Sequence, residues 1–138
     1  MASEFRYQRR VQFAETDLAG IVHFSAMFRY MEEAEHALWR SCDLSIAERG
    51  SSLGWPRLNA ALEFRNPLRF EDEFEIVVRI VALKRRTIEY EFIIRRADVL
   101  IAVGAMTSIC VRKTDGTMKA AEIPSQIAKK LREFVRRD

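Results

Sequence analysis

Cysteine is scarce in this chain of 138 residues: Cys42 and Cys110 are the only two, and they form no CxxC pair. A disulfide framework and a thiolate zinc site are therefore excluded, and both thiols read as buried or half-buried packing residues. Glycine (five) and proline (three) are also few. No repeat, low-complexity stretch or linker breaks the chain, which reads as one domain spanning 1–138. Long hydrophobic runs are missing as well. Charges punctuate every apolar stretch before it nears the roughly eighteen residues of a membrane-spanning helix, so no membrane insertion is expected. The first ten residues, MASEFRYQRR, carry charge without a following apolar segment, unlike a secretory signal, and the expected location is the reducing cytoplasm.

Charge of one sign is not abundant either. The formal net charge is +3, with the excess in Arg9-Arg10, in Lys84-Arg85-Arg86 and in the tail from Lys129 to Arg137. Acidic residues are interspersed throughout, whereas a nucleic-acid binder gathers cations on one face among aromatics. No nucleic-acid partner is expected, and a small ligand carrying phosphates suits the pattern better.

What the chain does have is a stretch of unusual character, Glu15 to Trp39. A short acidic turn, Glu15-Thr16-Asp17, closes at Gly20 and runs into an apolar helix. Met27, Met31, Ala34, Leu38 and Cys42 recur at helical spacing, and Phe28, Tyr30 and Ala37 widen that face. So apolar a helix needs a large cover. The sequence supplies one as strands of period two. Phe5, Tyr7, Arg9, Val11 and Phe13 alternate before the helix. After a breaker-rich loop at 48–56, Leu62 and Phe64 alternate, then Phe74 to Ile80, then Ile88 to Ile94, then the long run Val99–Val111. Short charged links imply antiparallel neighbours. A turn at Asp115-Gly116 leads to a last helix with Pro124 in its first turn. The expected architecture is α+β: about five antiparallel strands wrapped around one central helix, with a short C-terminal helix. Its free edges and outer sheet face point to a homodimer or homotetramer.

Asp17 is the first candidate for chemistry. It precedes the helix, where the N–H groups of about residues 21 to 24 are expected to be partly free and to attract developing negative charge. A carboxylate beside such donors suits acyl transfer; equally, Thr16 or Asp17 can simply cap the helix. His36 lies four residues after Glu32, but two ligands make no metal site, and the polar flank with Glu33 and Glu35 reads as solvated or subunit-facing. Ser25, Ser51 and Ser52 lack a histidine at triad spacing.

The run Val11 to Phe24 (VQFAETDLAGIVHF), followed by Phe28-Arg29-Tyr30-Met31-Glu32-Glu33-Ala34, resembles the signature of the 4-hydroxybenzoyl-CoA thioesterase family. The resemblance covers most of the chain and extends to the Gly54-Trp55-Pro56 loop, Asn59 and the corner Lys84-Arg85-Arg86-Thr87. It implies the hot-dog fold and hydrolysis of an aromatic or short- to medium-chain acyl-CoA without a cofactor. It also implies Asp17 as nucleophile or general base, with the amides around His23 and Phe24 polarising the thioester carbonyl. Gly20, Val22, Trp55 and Asn59 would lie beside the substrate, and Lys84 to Thr87 near the phosphates of coenzyme A. Several relatives place tyrosine then histidine where this chain has His23-Phe24, which leaves the imidazole as an orienting group or a bystander; Glu33 is a reserve carboxylate. A hydratase or dehydratase acting on acyl thioesters, or a silent acyl-CoA binder, are the alternative readings on the same fold.

Overall fold

The computed structural model describes residues 3–137. The chain forms β1 (Phe5–Arg10), a 3-10 turn (Phe13–Glu15), α1 (Phe24–Ser41), β2 (Leu53–Gly54), β3 (Arg57–Phe64), β4 (Glu73–Leu83), β5 (Thr87–Arg96), β6 (Val99–Ile109), β7 (Val111–Thr114), β8 (Thr117–Ala120) and α2 (Ser125–Leu131), which ends in a 3-10 turn at Arg132–Phe134. Five strands make one antiparallel sheet in the order β1-β4-β5-β6-β3. The sheet covers α1, and this is the hot-dog fold. Among the described residues no helix is long and apolar enough to cross a membrane.

The alternation of the strands sets the core. Phe74, Ile76, Val78 and Ile80 of β4 and Ile88, Tyr90, Phe92 and Ile94 of β5 are all buried on the helix side. They meet Ala26, Met27, Tyr30, Met31, Ala34, Leu38 and Trp39 of α1. Period two on the sheet and period 3.6 on the helix thus present two apolar faces to each other. Gly104 of β6 lets the helix come close, since a Cβ there would overlap the Met31 sulfur and press on Leu62.

Three expectations need correction. β3 does not pair with β4, its successor in sequence. It lies at the far edge, against β6, because the segment 65–72 is long enough to cross the sheet end instead of turning back as a hairpin. The run Val99–Val111 breaks at Cys110, and Asp115-Gly116 turns a hairpin, β7–β8, rather than leading into a helix. With β2 that hairpin makes a second, three-stranded sheet. Asp115 (φ 47°) and Gly116 (φ 77°) take the left-handed conformations that such a two-residue turn requires. Cys42, the C-cap of α1, is half-buried and packs against the core, as its place at the end of the apolar stripe implies.

Candidate active site

Asp17 opens a tight turn. Its carbonyl accepts from the Gly20 N–H and its own N–H donates to Ile21 O, both at 2.9 Å, while its Oδ1 accepts from the Ala19 N–H at 2.9 Å. The turn needs a left-handed residue at its close, and Gly20 supplies it at φ 79°. A bridge between Thr16 and Val22 ties the turn's two legs. Neither Thr16 nor Asp17 caps α1. His23 is the N-cap: its Nδ1 accepts from the Ser25 N–H at 3.2 Å and lies 2.8 Å from Ser25 Oγ. Among the described residues the second carboxylate oxygen of Asp17 has no hydrogen-bond partner, and the residue is exposed to solvent.

The expectation of free amides holds for part of the stretch. Val22 N–H donates to Leu68 O and His23 N–H to Glu15 O, each at 2.8 Å. Among the described residues Phe24 N–H has no partner, and it stands at the first turn of an 18-residue helix. That amide carries the positive end of the helix dipole toward whatever lies in front of it.

A half-buried ion cluster holds the turn in place. Arg9 of β1 forms two hydrogen bonds to Glu15 and two to Glu33 of α1. Glu15 also accepts from Tyr30 Oη at 2.7 Å and from the Gln12 N–H at 2.8 Å, and Tyr7 Oη donates to Glu33 at 3.0 Å. Burial alone raises the Glu15 pKa, but the hydrogen bonds from Arg9, Gln12 and Tyr30 outweigh it and leave the carboxyl below its ordinary value. Burial and then the Glu15 carboxylate push the Tyr30 phenol well above its ordinary range. Glu33 is thus a fastening for β1 and the turn.

Asp17 stands between two clefts. One, of about 470 Å³, is lined by Asp17, Ile21, Val22, Phe24, Met27, Phe64, Arg65, Asn66, Pro67 and Leu68. The other, of about 480 Å³, is lined by Phe13, Ala14, Thr16, Asp17, Leu18, Gly20 and Phe70, with Phe13 and Phe70 edge-to-face at 5.6 Å. The first reaches the core through buried Val22, Met27 and Leu68. The second is walled by exposed side chains, Phe13 being 73% exposed. Of the sequence candidates, Asp17, Gly20, Val22 and Phe24 are therefore brought together. His23 sits beside them, its exposed ring tilted on Phe24 at 4.6 Å.

The remaining candidates lie elsewhere in the protomer. Trp55 packs edge-to-face on Trp39 at 4.9 Å, near the C-terminal end of α1, and so does not line the Asp17 clefts. Asn59 is exposed on β3 opposite Thr107. Lys84, Arg85, Arg86 and Thr87 form the β4–β5 corner, whereas the Asp17 turn joins the other end of β4 through Val11–Asp72 and Val22–Leu68 bonds. An 11-residue strand separates those ends by about 33 Å. Periodicity could not show this, because it gives no account of which strand ends meet.

The profile of the thioesterase-like superfamily matches residues 11–131, nearly the whole fold just described. The chain belongs to this superfamily. A protein of Aquifex aeolicus described as an esterase is 37% identical over 130 residues, covering 94% of this chain and 98% of its own. A crystal structure from Aquifex aeolicus superposes with a TM-score of 0.86 at 35% identity, covering 92% of this chain and 98% of that one. The structure of a gentisyl-coenzyme A thioesterase gives 0.82 at 26% identity, covering 92% and 99%. A 1,4-dihydroxy-2-naphthoyl-CoA hydrolase of Nostoc punctiforme is 25% identical over 138 residues, covering 97% of this chain and 90% of its own.

Within this thioesterase framework, one cluster escaped the sequence reading. Glu35, taken as part of a solvated or subunit-facing helix flank, is fully buried within the protomer. Arg57 of β3 donates to both its oxygens, at 2.7 and 2.9 Å, and to Ser108 Oγ at 2.8 Å. Burial, and then the Glu35 carboxylate, raise the Tyr90 phenol well above its usual pKa; Tyr90 also accepts from Trp39 Nε1 at 3.0 Å. His36 Nε2 lies 3.7 Å from Glu35. The available signal was spacing: Glu35 is four residues after Met31 and four before Trp39, on the core side. Among the described residues no group of three or more His, Cys, Asp or Glu side chains could hold a metal.

Proposed function

We propose that the protein hydrolyses an acyl-CoA thioester, with the acyl group in the cleft lined by Val22, Met27, Phe64 and Leu68, and with Asp17 as nucleophile or general base. The observation that carries this is a single juxtaposition: an exposed carboxylate with one oxygen unbonded shares a cleft with Phe24, whose N–H at the head of α1 is unpartnered. A thioester carbonyl turned toward that N–H gains a hydrogen bond as its oxygen becomes negative. Asp17 then either attacks the carbonyl carbon, expelling the thiolate and leaving a mixed anhydride that water cleaves, or takes a proton from water as it attacks. The thiolate leaves readily, so no strong general acid is needed, and the reaction requires no cofactor. Aromatic Phe24 and Phe64 with aliphatic Val22, Met27 and Leu68 suit an aromatic or short- to medium-chain acyl group.

The active form is a homo-oligomer acting in the cytoplasm. β3 is an exposed edge strand whose sequence, RLNAALEF, carries little charge to protect it. Two copies paired antiparallel along that edge would turn the basic end of one protomer toward the Asp17 end of the other. That arrangement supports Lys84 to Thr87 as phosphate contacts despite their distance from Asp17 within one chain, and lets Trp55 and Asn59 approach the neighbouring site.

The test is steady-state hydrolysis of aromatic and aliphatic acyl-CoAs, following thiol release, with wild type beside Asp17→Asn and oligomeric state measured for both. Activity that collapses in a well-folded variant is the expected result. Full activity in the variant would remove Asp17 from the mechanism, and no cleavage by wild type would favour the silent binder or the hydratase.

A further inference from the structure

The two groups of the proposed reaction, the Asp17 carboxylate and the Phe24 N–H, sit on opposite legs of the turn that leads into α1. Glu15 is bonded to both legs. It lies two positions before Asp17, and its carbonyl accepts from the His23 N–H at 2.8 Å. That bond is the rung beside the Thr16–Val22 bridge, one residue short of the Phe24 amide. The Glu15 carboxylate is bonded as widely. Its Oε1 accepts from Tyr30 Oη at 2.7 Å, from the Gln12 N–H at 2.8 Å and from Arg9 Nη1 at 2.9 Å, and its Oε2 accepts from Arg9 Nη2. The side chain is only 12% exposed. Tyr30 is fully buried on α1, six residues beyond Phe24, a rigid helical rise of about 9 Å. Glu15 thus ties the leg that carries Asp17 directly to the helix whose first residue lines the same cleft. Glu33 differs, because the bonds found for its carboxylate go to Arg9 and Tyr7 of β1 and not to the turn.

We propose that Glu15, held by Tyr30, is a positioning residue that sets the separation between the Asp17 carboxylate and the Phe24 N–H. This rests on the acyl-CoA thioesterase reading and deepens it. Glu15 lines neither cleft and acts through Asp17 and Phe24, which do. Reacting groups must be held aligned and near contact distance, and a displacement of about 1 Å costs about 10²-fold in rate. Without the Tyr30 hydroxyl, Glu15 keeps its bonds to Arg9 and Gln12, but both partners lie outside α1. The turn then loses its direct side-chain tie to the helix.

The full-length protein offers a matched pair of substitutions. Tyr30→Phe and Tyr7→Phe each remove one phenolic hydroxyl from a carboxylate of the same ion cluster, Glu15 in the first and Glu33 in the second. Both should lower Tm by a similar few degrees. Steady-state hydrolysis of an acyl-CoA is then measured well below Tm. Tyr30→Phe should cut kcat about tenfold with KM unchanged, whereas Tyr7→Phe should keep the wild-type kcat. Glu15→Ala should lose about 10²-fold in kcat. Glu15→Gln keeps an acceptor for Tyr30 and for the Gln12 N–H, and should recover most of that loss. In an Asp17→Asn background Tyr30→Phe should cost nothing further, because no carboxylate remains to be placed. The positioning role is overturned if Tyr30→Phe keeps the wild-type kcat, if Tyr7→Phe loses as much, if the loss falls on KM instead, or if Tyr30→Phe still slows the Asp17→Asn enzyme about tenfold. Failure of the thioesterase reading is a different result: a wild type that cleaves no acyl-CoA, which removes the positioning role with it.

Discussion

The two ends of α1 handle a carboxylate in opposite ways. Near the N-terminal end, Asp17 is exposed, held by one backbone N–H, and flanked by clefts whose aromatic walls are open to solvent. Toward the C-terminal end, Glu35 is fully buried, gripped at both oxygens by Arg57, with Ser108, Tyr90 and Trp39 completing the cluster. A buried charge is tolerable only when paired and hydrogen-bonded. Once so satisfied, it has nothing left to offer a substrate. Asp17 keeps an oxygen free, as the proposed chemistry requires, because the capping duty falls to His23 and the anchoring duty to Glu15 and Glu33. An exposed carboxylate and a buried, fully paired one are thus separated along one helix.

The largest expected effect sharpens that contrast. Asp17→Asn should lower kcat by about 10³-fold or more while leaving thermal stability nearly unchanged, as measured by steady-state kinetics and calorimetry. Arg57→Ala should do the reverse. It strands a buried carboxylate and should cost about 3–5 kcal/mol in denaturant unfolding, with residual activity in whatever fraction stays folded. An Arg57→Ala protein as stable as wild type would break the comparison. Next comes Phe24→Pro. Proline is tolerated at the first helical position, and the extended His23 backbone (φ −64°, ψ 141°) suits the residue before it. The variant removes the unpartnered N–H and should cut kcat by about 10²-fold with little loss of helix by circular dichroism; normal kcat would mean that the amide does not meet the oxyanion. The smallest effect is assigned to His23→Ala, which loses an N-cap worth about 1 kcal/mol and should leave kcat within a few-fold of wild type.

Acid titration tests the anchoring cluster from another side. The folded pKa of Glu15 is depressed, so its contribution to stability is complete above the ordinary carboxylate value, near 4.3. That contribution is lost as pH falls through the lower folded value. Glu15→Gln should therefore be less stable than wild type at neutral pH and lose less on acidification.

Much of the core was legible because its signals are periodic. The Met27, Met31, Ala34, Leu38 stripe and the alternation through Phe74–Ile80 and Ile88–Ile94 need only a count of spacings, and all of these residues are buried. The Asp17–Gly20 turn was legible too, since a residue at φ 79° favours glycine. Glu35 was misread because a carboxylate at a core position betrays itself only through its partner, and Arg57 lies 22 residues away on a strand. The β7–β8 hairpin was missed because all its residues but Val111 are exposed and so carry no inward alternation.

The sequence by itself determined the central helix, the strands that cover it, the Asp17 turn and the superfamily signature, because local conformation and amphipathic period are written in neighbouring residues. Only the tertiary structure decided that β3 lies at the far edge, that His23 rather than Asp17 caps α1, and that Phe24 keeps a free amide. It also placed the basic corner at the opposite end of β4 from the catalytic candidate. Each of these depends on which distant segments meet, and the entropy of closing those long loops is repaid by contacts that no short window of sequence contains.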